Sequence, residues 1–404
     1  MKKTLLLFTA LFLFVLNSFS QWTPLNSGIS GFVSSVYFVN ADTGYAVADA
    51  GTILKTIDGG NQWDPLTSGT TLDLYYIVFT SVNTGFCTGA GGIILKTLDG
   101  GTTWATKHDG ASNIIIKASF IGNTGYAVGD DGPVLKTTDA GETWIPVATG
   151  LPVQIKDVAF TSVDIGYVAG GNGSWTTGGT ILKTTDGGIT WVTMTTGIYN
   201  YLFTIFFTDS NTGYAGGGDL ATGSILKTTD AGMTWHEIPN TPGGPVRRIF
   251  FPTPGIGYAV SRFGDILRTS DSGATWTAQE SGTFEYLFGL FFLDAYTGFA
   301  AGDYGTILKT TNGGFPVGVS EKKATGGLNC YPNPAREQLT IVLPMPGTEP
   351  IRRLFIYDLT GQVVMNEQIV GALTKIDVSS FPTGLYFVKL IDGENTMVSK
   401  FAVK

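Results

Sequence analysis

Six near-copies of one phrase run along the 404-residue chain: TIDGGNQW at 56–63, TLDGGTTW at 97–104, TTDAGETW at 137–144, TTDGGITW at 184–191, TTDAGMTW at 228–235 and TSDSGATW at 269–276. Their aspartates are Asp58, Asp99, Asp139, Asp186, Asp230 and Asp271, so successive copies lie 40 to 47 residues apart. A degenerate seventh copy, TTNGGF at 310–315, puts Asn312 another 41 residues on. A fixed period near 40 means one supersecondary unit, repeated. Each unit has the same order: an apolar stretch ending in Phe, a Gly-Tyr or Gly-Phe step, an ILKT-type stretch, then the box and its Trp. That order reads as four short strands joined by Gly-rich turns. Four-stranded units at this period are the blades of a β-propeller.

The seventh box has no Trp, and Trp22 has no box. WTPLNSG at 22–28 aligns with WDPLTSG at 63–69, so the N-terminal segment is expected to supply the outer strand of the last blade. Closing the ring this way removes two unpaired sheet edges. The expected fold is therefore all-β: a seven-bladed propeller over 21–316, closed by its N-terminal strand. Two columns of the first strands support it. One is Phe38, Phe79, Phe120, Phe160, Phe207, Phe251 and Phe292. The other, two residues earlier, is Val36, Ile77, Ala118, Val158, Ile205, Ile249 and Leu290. Apolarity with period two marks a core-facing strand, and each buried Phe stabilises by roughly 2–3 kcal/mol.

The boxes themselves need only turn chemistry. Gly supplies positive φ, and the Asp before it accepts backbone N–H bonds across the turn. A calcium loop needs several alternating oxygen ligands, and DGG offers one carboxylate. The phrase resembles the Asp-box, or BNR repeat, of sialidases and related propellers, a resemblance that implies a structural role on the face away from the ligand. The full GYAVG…GTILKTTDGGxTW phrase resembles the photosystem II stability/assembly factor-like family of seven-bladed propellers. The recurring lysines Lys55, Lys96, Lys136, Lys183, Lys227 and Lys309, with Arg268 in the sixth unit, are expected to project from an outer strand into solvent.

The two ends of the chain read as targeting segments. Lys2, Lys3 and the apolar run at 5–16 form a signal peptide over 1–20, with cleavage before Gln21. After a linker at 317–327, residues 328–404 alternate as strands of a small β-sandwich. YPNP at 331–334, IYDLTGQ at 356–362, GLYFVKL at 384–390 and the terminal lysine resemble the type A C-terminal sorting domain of the type IX secretion system. That resemblance implies an outer-membraned bacterium, delivery to the cell surface or beyond, and the secretion machinery as a partner. No other stretch is long and apolar enough to be transmembrane.

Composition narrows the function. The formal charge is −8 with no basic run, so nucleic acid is not an expected partner. Cys87 and Cys330 are far apart and read as buried thiols. His108 and His236 are the only histidines, which leaves little for metal or triad chemistry. No cofactor or metal is expected. The four propeller arginines, Arg247, Arg248, Arg262 and Arg268, all lie in the sixth unit, so a sialidase-type arginine triad drawn from separate blades cannot be built. A glycoside hydrolase acting on a polysaccharide would need two facing carboxylates. Asp157, with Asp73 and Glu285 nearby, is the available material.

The preferred reading is a non-catalytic binding or scaffold propeller for an extracellular glycan or protein. Between the apolar columns, the first strands carry Ser35, Tyr76, Lys117, Asp157, Thr204, Arg248 and Gly289, a variable position suited to the central channel. Lys117, Asp157 and Arg248 are candidates for a polar ring there. Trp175, in the longest second-to-third-strand loop, is the candidate exposed anchor, with Tyr76, Tyr201, Tyr286 and Arg262 extending the platform. Removing 328–404 is expected to abolish surface delivery while 21–316 folds alone. Fractionation of cells carrying the truncated gene checks this, and a tail-less protein on the surface contradicts it.

Overall fold

The computed structural model describes residues 21–404 apart from 111–112, 131–133, 149–153, 172–177, 195, 198–200, 220–221, 240–242, 316–327, 343–351, 360–362, 370–372 and 393–394. The expected signal peptide, the 317–327 linker and Trp175 lie outside the described residues. The chain divides into two compact units, Met1–Val317 and Gly318–Lys404.

The first unit holds seven four-stranded antiparallel sheets, each one blade. Blade one is built from Val33–Phe38, Gly44–Ala48, Ile53–Thr56 and Asp64–Leu66. The others begin at Leu74, Ile114, Gln154, Leu202, Arg248 and Leu287 and follow the same order. In the last blade the outer strand is Thr23–Asn26, which pairs with Thr306–Thr310 in the register Thr23↔Lys309 to Asn26↔Thr306. Trp22 is fully buried, with its indole N–H on Gln279 Oε1 at 3.1 Å. The ring is thus closed by the N-terminal strand, as the sequence predicts.

The repeated letters converge on the seams between blades. The Phe ending each first strand lies flat against the aromatic of the Gly-Tyr or Gly-Phe step in the preceding blade. The seven ring pairs are Phe38–Phe299, Tyr45–Phe79, Phe86–Phe120, Tyr126–Phe160, Tyr167–Phe207, Tyr214–Phe251 and Tyr258–Phe292, all stacked at 3.7–4.3 Å. The box Trp meets the same Phe edge-on, as in Trp63–Phe38 at 5.9 Å, and Trp22 does so to Phe292 at 5.8 Å. The glycine of the step is sterically required, because a Cβ at Gly166 would lie 2.3 Å from Phe160 Cε1.

The boxes and the lysines act together. In each complete box the Thr hydroxyl donates to the Asp and accepts from the second-Gly amide; Thr184 Oγ1 does so to Asp186 Oδ1 and from Gly188 N, both at 2.8 Å. Asp186 also accepts from Thr190 N and Oγ1, at 2.9 and 2.6 Å. Hydrogen bonds from Thr103, Thr190 and Thr234, first those of their hydroxyls, hold the carboxyls of Asp99, Asp186 and Asp230 down to about 2. The six aspartates are thus committed to their own turns. The lysines do not run into solvent as expected. Each reaches the box of the next blade: Lys55 to Gly100 O, Lys96 to Ala140 O, Lys136 to Gly187 O, Lys183 to Ala231 O, Lys227 to Ser272 O and Lys309 to Gly59 O, at 2.7–2.9 Å. The seam tyrosine often shares that carbonyl, as Tyr167 OH does at 2.7 Å from Ala231 O. The physical reason is capacity: a turn carbonyl has two lone pairs, and a long flexible cation reaches one of them while its stem packs on the ring. Arg268 instead reaches the Tyr258 hydroxyl and lies over Phe315.

The second unit packs a three-stranded and a four-stranded sheet over one core of Leu339, Ile341, Leu354, Ile356, Val388, Leu390 and Phe401. Cys87 is buried as expected, whereas Cys330 is only half-buried, its strand Asn329–Tyr331 lying at a sheet edge. No helix among the described residues is long and apolar enough to cross a membrane.

Two stability outcomes follow. Trp22→Ala is expected to cost about 3–5 kcal/mol in urea unfolding, as for a buried Trp in a core; a loss under 1 kcal/mol would show the closing strand to be peripheral. Lys183→Met and Tyr167→Phe are each expected to cost about 1 kcal/mol, because each leaves the Ala231 carbonyl one donor. The double variant strips both, so a double-mutant cycle is expected to show a loss greater than the sum. Strict additivity would mean that the shared carbonyl does not couple them.

Candidate functional site

In six of the seven blades the first strand is irregular at the end away from the boxes, whereas in the sixth blade the register shift falls at the other end, between Phe250 and Thr253. In those six the ladder skips one residue: Val33 and Ser35 pair with consecutive residues of the next strand, as do Leu74 and Tyr76, Ile115 and Lys117, Ile155 and Asp157, Leu202 and Thr204, and Leu287 and Gly289. Such a β-bulge leaves one residue unpaired and re-aims its side chain. The extra residues are Ser34, Tyr75, Ile116, Lys156, Phe203 and Phe288, and in the sixth blade Arg247 stands at the same place, next to Arg248. All seven line one cavity of about 330 Å³ at the channel mouth, together with Phe32, Ile114, Asp130 and Arg248. Sequence reading missed this column. Its signal is the three-residue interval between core positions, Val33 to Val36 or Leu74 to Ile77, where a regular strand would show two.

The cavity is both aromatic and charged. Lys156 holds Asp130 by both carboxylate oxygens, at 2.6 and 2.5 Å. The Arg247 guanidinium lies 3.9 Å above the centre of the Phe203 ring and 5.9 Å from that of Phe288. Burial, and then the neighbouring Arg262 charge, lowers Arg247 to about 10. Phe288 in turn meets Phe32 edge-on at 4.5 Å.

Beneath the cavity the structure brings Tyr76, Lys117, Asp157 and Arg248 together. Lys117 Nζ lies 2.6 Å from Asp157 Oδ1, and Arg248 Nη1 lies 3.5 Å from Oδ2. Both cations sit over the Tyr76 ring, at 5.4 and 5.3 Å. Asp157 is fully buried and also accepts from Val158 N, Thr204 Oγ1 and Ile205 N at 2.7, 2.9 and 3.0 Å. Burial, and then the Arg248 charge, lowers the Lys117 ammonium to about 8. Burial raises the Tyr76 phenol to about 12. On the box side of this cluster Lys117 and Tyr76 line a second cavity of about 470 Å³.

The remaining candidates lie elsewhere. Tyr201 is not the exposed aromatic expected of it. It is buried, its hydroxyl bonded to Gln154 Oε1 at 3.0 Å and its ring packed against Phe203 and beside Gly171, where no side chain keeps it out. Tyr286 is half-buried at the rim, under the Arg262 guanidinium at 5.2 Å and edge-on to Phe263 at 5.3 Å. Asp73 Oδ1 accepts from Ala50 N at 2.8 Å, and the Glu285 backbone N–H donates to Thr283 Oγ1.

Four second-to-third-strand turns on this rim share one backbone form, a left-handed residue followed by a left-handed glycine. The first residue is Ala50 at φ 52°, Gly91 at 64°, Phe263 at 58° and Tyr304 at 52°. Phe263 is 58% exposed, Tyr304 75%, and Phe284, in the loop between their blades, 88%. The sequence holds that signal too, in an aromatic where the other two turns carry Ala or Gly.

Residues 61–155 and 146–323 match the family model described as photosynthesis system II assembly factor YCF48. The chain belongs to the YCF48 family. Residues 329–404 match a second model, the secretion system C-terminal sorting domain, so this YCF48-family propeller is a secreted or cell-surface protein routed by its tail. Among solved structures, one of YCF48 bound to D1 peptide is 17% identical, covers 73% of this chain and 98% of its own, and has a TM-score of 0.61. YCF48 from Cyanidioschyzon merolae is 17% identical, with 72% and 98% covered and a TM-score of 0.58. The GH74 xyloglucanase from Xanthomonas campestris is 16% identical, with 80% and 59% covered and a TM-score of 0.58. At these identities the likeness is one of fold. No curated protein sequence matches the chain.

Proposed function

We propose that this propeller is a non-catalytic binding module at the cell surface or beyond, and that it holds a peptide segment of a partner protein across its channel mouth. The observation that carries this reading is the pair of exposed aromatics at left-handed positions. A bulky residue at positive φ is strained by about 1–2 kcal/mol. Phe263 and Tyr304 are mostly exposed, so burial returns little of that cost to the fold. Strain kept without a folding benefit points to a ligand. Phe263 joins the cavity wall through Tyr286, which borders Phe288, while Tyr304 lines a separate groove with Leu25, Ile29 and Thr283. The cavity itself is aromatic and cationic, the composition of interface anchors. A fold relative, YCF48, has been seen with a peptide bound, which favours protein over glycan.

Hydrolysis is the weaker reading. Two carboxylates described at the channel, Asp157 and Asp130, are held by cations at 2.5–2.6 Å, and Asp157 has three further donors. A general acid or base needs a carboxyl oxygen free to face the substrate; these contacts occupy the carboxyl oxygens of both residues.

Tyr304→Gly and Phe263→Gly are expected to leave stability within about 1 kcal/mol of the parent, since glycine accepts the turn without strain. Each is expected to weaken peptide binding by about 1–3 kcal/mol. A peptide array and a glycan array, probed with the full chain and each variant, check this. Binding that ignores both substitutions, or release of sugar from any glycan, overturns it.

A further inference from the structure

We infer that the channel-mouth cavity is a seat for a carboxylate joined to an apolar group, with Arg248 and Arg247 taking the carboxylate and Phe203, Phe288 and Phe32 taking the apolar part. The inference rests on the peptide-binding reading and names the chemistry that the site selects.

The argument starts from Asp157. One carboxylate serves two cations there, and its oxygens already accept from Lys117, Thr204 and two backbone amides at 2.6–3.0 Å. Arg248 gets only a 3.5 Å contact. A guanidinium offers five donors in a planar fork, and one long contact uses little of that capacity. Two cations against one carboxylate also leave the cluster with a positive surplus in a low-dielectric site, where an incoming anion gains most. The Lys117 ammonium is lowered first by burial and then by the Arg248 charge beside it.

The walls define the rest of the ligand. Lys156 is committed to Asp130, so it does not compete for the guest. Arg247 lies over Phe203, its guanidinium carbon 3.9 Å from the ring centre, and a guanidinium can rest on a ring while its N–H groups bond elsewhere. The aromatic wall continues through Phe288 to Phe32. About 330 Å³ is at the small end of ligand pockets, enough for one side chain and its carboxylate rather than a folded element. The carboxylate can come from a chain end or from an acidic side chain beside an apolar one.

Calorimetric titration of the full chain tests this with four probes: N-acetyl-phenylalanine, N-acetyl-Asp-Phe-amide, the neutral N-acetyl-phenylalaninamide, and a galacturonic acid oligomer. One of the two acidic peptide probes is expected to bind at least about tenfold tighter than the neutral amide, with the difference shrinking as salt is raised; which one binds identifies the source of the carboxylate. Arg248→Gln is expected to abolish the preference. Should that variant melt early because Asp157 loses a partner, Arg248→Lys keeps the charge, removes the fork and is expected to lose most of the preference at a native melting temperature. Equal binding of acid and amide overturns the inference, as does an undiminished preference in both variants. If array peptides bind through Tyr304 without any acid preference, the inference falls and the peptide-binding reading stands. If the galacturonic acid oligomer binds through Arg248 and no peptide does, the carboxylate seat stands and the peptide reading falls.

Discussion

The structure depends on one contact made seven times: a Phe at the end of a first strand, stacked face to face on an aromatic from the preceding blade and capped edge-on by a Trp. Stacked and edge-on pairs are favoured by the ring quadrupole, and each pair stabilises by about 0.5–1.5 kcal/mol beyond the area buried. The geometry also dictates the letters around it. The Phe lies against the backbone of its own second strand, so close that a Cβ there would come within 2.3–2.6 Å of the ring in every blade, and the position must be glycine. The next residue must then be the aromatic that crosses to the following blade. Gly-Tyr and the box Trp are thus two parts of one joint, separated in sequence and united at the seam.

The latch of lysine and tyrosine onto the next box extends that joint to the surface. It couples the local turn of one blade to the third strand of another, about 45 residues away in most blades. This accounts for the recurrence of the boxes in every blade. Their carboxylates stabilise a turn whose outward carbonyl is the acceptor for the neighbouring blade. The closing blade uses the same device, since Lys309 reaches Gly59 across the point where the chain's beginning and end meet.

A ring held so uniformly on one side leaves the opposite side free to vary. There one residue per blade, at a bulge in six of the seven, lines the cavity, and those residues share no chemical type: serine, tyrosine, isoleucine, lysine, arginine and two phenylalanines. The strained turn of blade six sets Phe263 against Tyr286, which borders Phe288, and that of blade seven exposes Tyr304. Sorting by the C-terminal domain puts this protein in a secreted or cell-surface setting. The division of labour is physical. Repeated residues satisfy contacts that every seam must make, and unrepeated ones lie where no seam constrains them.

The sequence by itself determined the blade count, the ring closure by Trp22, the placing of the six aspartates in Gly-rich turns, and the sorting tail. Each depends on short-range chemistry written out in order: a glycine before an aromatic, an Asp before a left-handed turn, a Trp without its box. It also named Lys117, Asp157 and Arg248 as a channel column, because they vary between two apolar columns. Only the tertiary structure decided that Asp157 is shared between two cations, that Tyr201 turns inward, that the lysines cross to the next blade, and that a bulge builds the cavity wall. Those facts join residues 26 to 250 positions apart, and side-chain reach across a seam leaves no trace in the periodicity of either strand. The bulge was nearly legible, since core positions three apart cannot lie on one face of a regular strand, but what its residues face is set by the closed ring.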